Sequence, residues 1–169
     1  MGDREGGFEA FVASRGATLL RFAFVLTHDR GRAEDLVQDA LVKVHRRWDR
    51  VLAAEQPEAY VRRIVTNDFL SWRRRRSSGE TPAVLPSTSV GDHAAGVDER
   101  DVMWRALAAL PPRQRAVLVL RFYEDLPDAQ IAAVLDCAVG TVASLASRGL
   151  TALRAQDWAD RPETLRKEQ

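Results

Sequence analysis

Apolar residues recur three, four and seven positions apart along almost the whole chain, and no stretch alternates with a period of two. The first pattern is that of a helix burying one side, the second that of a strand, so the chain is committed to helices. Phe8, Phe11, Val12, Leu19, Phe22, Ala23 and Leu26 form the first stripe. After the break "THDRG", Ala33, Leu36, Val37, Ala40, Leu41, Val44 and Trp48 form a second, leaving Glu34, Asp35, Gln38, Asp39 and Arg46 on the other faces. Pro57 suits the first turn of a third helix, where its missing N–H is no loss. In it Tyr60, Val61, Ile64 and Val65 are apolar before "NDFLSWRRRR" takes over. The fold class is all-α.

The pattern is interrupted once at length. Residues 77–96, "SSGETPAVLPSTSVGDHAAG", are rich in Ser, Thr, Pro and Gly, have no period, and bury too little apolar surface to order themselves. They read as a flexible linker between a domain at 5–76 and a second at 97–156, with 157–169 as a polar tail. In the second domain "VDERDVMWRALAAL" is a helix stopped by Pro111 and Pro112, "RQRAVLVLRFY" is another, and "IAAVLDCAVGTVASLASRG" gives two short helices hinged at a tight turn.

Composition narrows the function. The lone Cys137 forbids an intrachain disulfide, and His28, His45 and His93 have no metal-ligand spacing. No apolar run approaches the roughly 20 residues of a bilayer span, and the acids of "MGDREGGFEAF" stand where a secretory signal needs bases. The expectation is a cytosolic chain without cofactor or metal, neither exported nor inserted. No Ser/His/Asp grouping or phosphate-cradling glycine loop speaks for an enzyme. Charge is uneven: residues 1–76 hold 15 Lys and Arg against 11 Asp and Glu, and residues 77–169 hold 10 against 13. Strong attraction to nucleic acid therefore belongs to the first half.

Two segments carry candidate chemistry. Around residues 131–149, Ala132, Asp136 and Val142 fill the small, turn and packing positions of a helix-turn-helix, at offsets of four and ten. Ile131, Val134 and Leu135 would face Val142, Ala146, Leu150 and Leu153. Asp136 is costly if the turn is left-handed, where glycine is free of strain. An ordinary helical hairpin with Cys137 as a small buried hydrophobe is the alternative. The other segment is "FLSWRRRRSSG". Four consecutive arginines cannot share one helix face; they are either a solvated helix end or a phosphate-binding collar that Arg62 and Arg63 extend. Trp72, Phe69, Tyr60 and Trp48 interleave with them as stacking partners for unstacked bases, although core packing is the expected fate of at least two.

Taken together, "AEDLVQDALVKVHRRW", "PEAYVRRIVTNDFLSWRRRR" and "ALAALPPRQRAVLVLRFYEDLPDAQIAAVLDCAVGTVASLASRGLTALR" resemble an extracytoplasmic-function RNA polymerase sigma factor, and within that family its SigE-like actinobacterial subgroup. The likeness covers roughly residues 8–156. It implies that 5–76 is the region that binds core polymerase and opens the minus-ten element, and that 97–156 is the region that reads the minus-thirty-five element. Glu34, Asp35, Leu36, Gln38 and Asp39 would then dock on the clamp coiled coil of the polymerase's largest subunit. Asn67 would stand at the family's characteristic Asn, with Arg62, Arg63, Trp72, Arg73, Arg74, Arg75 and Arg76 on promoter DNA. Thr141, Ser144 and Arg148 would face the groove, and an anti-sigma factor is a possible further partner.

The chain departs from the family where Asp136 replaces a usual glycine, Ala143 a basic residue, Leu145 a long polar residue, and Ser71 an Asp. Leu145 is expected to pack inward; the alternative is contact with a thymine methyl. An acidic second domain with a single mid-helix arginine needs little DNA affinity of its own if tethered beside a basic first domain. The isolated segment 97–169 is accordingly expected to show no sequence-specific binding at physiological salt. Two rivals remain: a sigma-like decoy that titrates an anti-sigma factor, and a freestanding helix-turn-helix regulator.

Overall fold

The computed structural model describes the backbone of residues 2–54, 56–79 and 99–159, with side chains for 5–54, 56–79 and 102–156. The chain divides into two units, Met1–His93 and Ala94–Gln169. All regular structure among the described residues is helical.

In the first unit α1 spans Gly2–Thr27, α2 Arg30–Arg46, α3 Trp48–Leu52 and α4 Pro57–Ser77. α1 lies on both α2 and α4, and α2 on α4. The sequence stripes meet there: Leu19, Phe22 and Leu26 of α1, Val37, Ala40 and Val44 of α2, and Val61, Val65 and Phe69 of α4 are all buried between the packed helices. Each such fully buried large side chain contributes about 1.5–3 kcal/mol. By length and composition Glu5–Thr27 could cross a bilayer, contrary to the expectation that no stretch could. Its apolar stripe is occupied instead by the core of the unit.

Local chemistry sets the helix ends. The Thr27 hydroxyl donates to Ala23 O at 2.9 Å, His28 turns into the left-handed region at φ 54°, and Asp29 caps α2 by accepting from the Arg32 amide at 2.9 Å. The second stripe reads as one helix through Trp48, but α2 ends at Arg46 and Arg47 leaves helical geometry at φ −123°. Trp48 then opens α3 with its ring 5.4 Å from both Phe8 and Phe11, and the aromatic cluster fixes the break. α4 begins at Pro57, holds Glu58 in its first turn and Arg74, Arg75 and Arg76 in its last, matching the helix dipole at both ends. Ser77, read as the first linker residue, is the last of α4; residues 80–96 of that segment lie outside the described residues.

The second unit holds α5 at Glu99–Ala109, α6 at Pro112–Leu118, α7 at Asp128–Leu135 and α8 at Val139–Ala159. Pro111 and Pro112 separate α5 from α6 as expected. Arg115 is buried at 2% exposure and donates to Ala108 O and Leu110 O, supplying donors to carbonyls that the end of α5 leaves unbonded. The expected helix over "RQRAVLVLRFY" widens after Leu118 into a π-helical turn, Val119–Tyr123, closed by the Glu124 amide on Val119 O at 3.1 Å. Arg121 of that turn pairs with Asp128 at the start of α7.

α8 is not short. It runs 21 residues and takes the first three residues of the expected tail, because "TALRAQDWA" is rich in strong helix formers with neither Gly nor Pro to stop it. Residues 160–169 of that tail lie outside the described residues. Gly149 sits where α8 crosses α6: a Cβ there would stand 2.9 Å from Leu118 Cδ1.

Candidate nucleic-acid and partner interfaces

The turn between α7 and α8 decides between a helix-turn-helix and a plain hairpin. The two helices meet at 98°, the angle of a helix-turn-helix, whereas a hairpin would run them antiparallel. Asp136 takes φ 50°, ψ 58°, the left-handed conformation anticipated for this position, and the Cys137 amide reaches back to Ala132 O at 3.1 Å. Ile131, Ala132, Val134, Leu135, Val142 and Ala146 are buried; Leu150 and Leu153 are half-buried. Cys137 is half-buried as well and does not fill the core.

Helical register gives α8 one outward face. Gly140, Thr141, Ser144, Ser147, Arg148 and Thr151 are all exposed, and Ala143 is exposed beside them. Thr141, Ser144 and Arg148 therefore share a surface, and Arg148 is its one charge before Arg154. Leu145 stands at the flank, half-buried between the core row and this face.

On α4 the structure separates residues that run together in the sequence. Arg63, Asn67 and Arg74 lie four and seven apart and are exposed in one row, with Arg75 exposed alongside. Arg62 does not extend this row. It points to the opposite side, where it binds Glu58 at 2.7 Å, and Arg15 of α1 reaches the same carboxylate at 3.4 Å. These three side chains line an open pocket of about 350 Å³ together with Phe11, Gln56, Pro57 and Ala59. Arg62 is thus engaged within the unit, a correction to its reading as part of the collar.

Arg73 and Arg76 are half-buried too, each with its guanidinium carbon 5.7 Å from the Trp72 ring centroid. On the same ring lies Arg32, brought from the start of α2, at 4.5 Å. Burial, and then the nearby charge of Arg76, pull the Arg73 guanidinium below its usual pKa. Of the four interleaved rings, Trp48 and Phe69 are in the core, and Trp72 and Tyr60 are half-buried. Sequence spacing could not have paired Arg32 with Trp72, since the contact depends on how α2 packs on α4. A second tie between these helices joins Lys43 to both oxygens of Asp68, at 2.6 and 2.7 Å.

The face of α2 is simpler. Asp35, Gln38 and Asp39 are exposed; Glu34 is half-buried and paired with Arg30 at 3.1 Å. Leu36 is 3% exposed and faces the unit's own core, so it supports the helix from within and offers nothing to a partner. Val42, 53% exposed and one turn beyond Gln38 and Asp39, lengthens the outward face instead. Its signal in the sequence was an apolar residue lying off the core stripe.

Comparison with known proteins agrees with this layout. Sigma-70 region 2 matches residues 11–79, and sigma-70 region 4 matches residues 100–153. The RNA polymerase sigma-E factor of Streptomyces avermitilis is 38% identical over 150 residues, covering 88% of this chain and 84% of the relative. The ECF RNA polymerase sigma factor SigL of Mycobacterium tuberculosis is 30% identical, covering 86% and 85%. Among solved structures, the sigma factor RpoE in complex with the anti-sigma factor NepR from Bartonella quintana superposes with a TM-score of 0.72 at 27% identity, covering 92% of this chain and 99% of that one. The two matched regions, in this order and with relatives similar over most of their length, show that the chain belongs to the sigma-70 family as an RNA polymerase sigma factor of the extracytoplasmic-function type.

Proposed function

We propose that this sigma factor divides its work among three faces: α2 docks on core polymerase, α4 engages and opens the minus-ten element, and α8 reads the minus-thirty-five element. As a sigma factor it binds core RNA polymerase and directs initiation at particular promoters; the assignment of faces is the finer reading. The observation that carries it is the Arg63, Asn67 and Arg74 row of α4, a cationic and hydrogen-bonding edge on a helix braced to α2 at two points. Opening DNA holds a base out of its stack at a few kcal/mol, so phosphate clamps must stand beside groups that take the base.

Asp35, Gln38, Asp39 and Val42 supply a mixed acidic and apolar face suited to a helical partner such as the clamp coiled coil. On α8, Thr141, Ser144 and Arg148 supply base-edge contacts, and the N-terminal half of such a helix is the part that enters the groove. The site of action is the chromosome, hence the cytoplasm. Partnership with an anti-sigma factor is supported by the solved relative, which was captured in such a complex. A freestanding regulator leaves the region 2 match over 11–79 without a role, and a decoy has no need of the α4 cations. Members of the family act by binding and not by catalysis, and this chain does the same.

Run-off transcription is the direct test. Purified protein with actinobacterial core polymerase on pooled fragments of its own genome is expected to yield discrete starts that share an upstream pair of elements. Binding to core with no transcripts would overturn the reading in favour of the decoy.

A further inference from the structure

We propose that Arg32, at the start of α2, is a phosphate ligand for the opened promoter strand, acting with Arg73 and Arg76 around the Trp72 ring. The inference rests on the reading of α4 as the minus-ten segment and adds to it a residue from the helix assigned to polymerase docking. Three guanidinium groups from two helices converge on one ring, at 4.5, 5.7 and 5.7 Å. All four side chains are half-buried, and Arg32 keeps 31% of its side chain in solvent, so the cluster is open on one side. The counter-charge given to Arg32 is Asp35, at 3.8 Å and itself 65% exposed, a distant and solvent-screened pairing.

Packing like charges together is unfavourable unless an anion joins them. Ring contacts offset part of that cost, because each cation meets the negative face of the indole. A phosphate would offset more, since guanidinium groups bind its oxygens in a planar fork. Arg73 also has a buried Nε with no hydrogen-bond partner in the unit. A nucleic-acid strand crossing this spot would place a phosphate on the cations and leave the exposed flank of Trp72 to a neighbouring sugar or base.

The decisive quantity is the salt dependence of binding, which counts phosphates neutralised and is indifferent to folding support. The full chain is titrated with a fluorescein-labelled, mixed-sequence 20-nucleotide DNA strand at several low salt concentrations. Arg32→Gln is expected to reduce the slope of log affinity on log salt by about 0.7, one phosphate on a single strand. Arg32→Lys, which keeps the charge, is expected to retain most of the slope. Arg76→Gln, which leaves α2 untouched, is expected to give the same reduction as Arg32→Gln. Arg21→Gln on the exposed side of α1 is expected to give none. Weaker binding of Arg32→Gln at an unchanged slope would mean that Arg32 only steadies Trp72, and would overturn the proposal. An unchanged Arg32→Gln beside a reduced slope for Arg74→Gln overturns this proposal and leaves the reading of α4 standing. No reduction in either removes both.

Discussion

On α4 the outward row is long and cationic, with Arg63, Arg74 and Arg75 flanking Asn67; on α8 it is short and mostly uncharged, with Gly140, Thr141, Ser144 and Ser147 around the single charge of Arg148. On the proposed division, the α4 side chains would reach phosphates at a distance and with little demand on sequence, whereas the small polar groups on α8 would act only where they touch a base edge. The same asymmetry marks the two halves of the chain, 15 basic against 11 acidic residues before position 77 and 10 against 13 after it. Affinity and selection are thus separable tasks. A weak selecting domain suffices when linkage to a bound one raises its effective concentration to about millimolar.

The largest effect that tests this division is the loss of the α4 row. Replacing Arg63, Arg74 and Arg75 together by Gln is expected to reduce the salt slope of promoter binding by about two to three and affinity by on the order of a hundredfold or more. The isolated segment 97–169, measured beside it by fluorescence anisotropy, is expected to show no sequence-specific binding at physiological salt. A nanomolar constant for that segment breaks the comparison outright, because α8 would then hold affinity that the one arginine in the first half of its outward face cannot supply.

Smaller and different in kind is Arg148→Ala. A base-edge contact of this type is worth about 1–3 kcal/mol and is lost at one position of the site. Selection among randomised upstream elements is expected to show relaxed preference at that position, with the salt slope changed by no more than about one. A uniform loss across all sequences would move Arg148 into the same class as Arg74. Below this lies the frame that presents the face. Gly149→Ala would gain about 0.5–1 kcal/mol in helix propensity but sets a methyl 2.9 Å from the buried Leu118 Cδ1. Overpacking costs about 1–3 kcal/mol, so thermal unfolding is expected to record a net loss of about 1 kcal/mol.

What the sequence made legible follows the range of the interaction. Periodicity located the helices other than the short α3, Pro57 marked a start and Pro111 and Pro112 a stop, and the offsets of four and ten found the left-handed Asp136, because each of these is local. Long-range packing was the blind part. Arg62 and Arg63 are adjacent in sequence and part company in space, since Arg62 pairs with Glu58, a carboxylate that Arg15 of α1 also reaches. Leu36 looks like a contact residue when its motif is read alone, yet it is needed by the core; Arg32 looks like a helix-start cation, yet it stacks on Trp72. The break at Arg47 and the widening at Val119–Tyr123 likewise leave no periodic trace.

The smallest expected effect separates frame from face. Asp136 stands in the left-handed region at φ 50°, where a side chain costs roughly 1 kcal/mol and glycine does not. Glycine loses more backbone entropy on folding, which returns part of that gain, so Asp136→Gly is expected to stabilise the second unit by about 0.5 kcal/mol. For a domain of this size that is about 2–4 °C in unfolding temperature, readable by calorimetry. The residue is exposed at the turn, five positions ahead of Thr141. If it serves only the turn, the glycine variant raises stability and leaves promoter preference and salt slope as they were. If transcription from the selected promoters instead rises and the salt slope steepens, the Asp136 carboxylate has been repelling the phosphates. The low affinity expected of α8 would then be held down by an added acid as well as by the scarcity of cations.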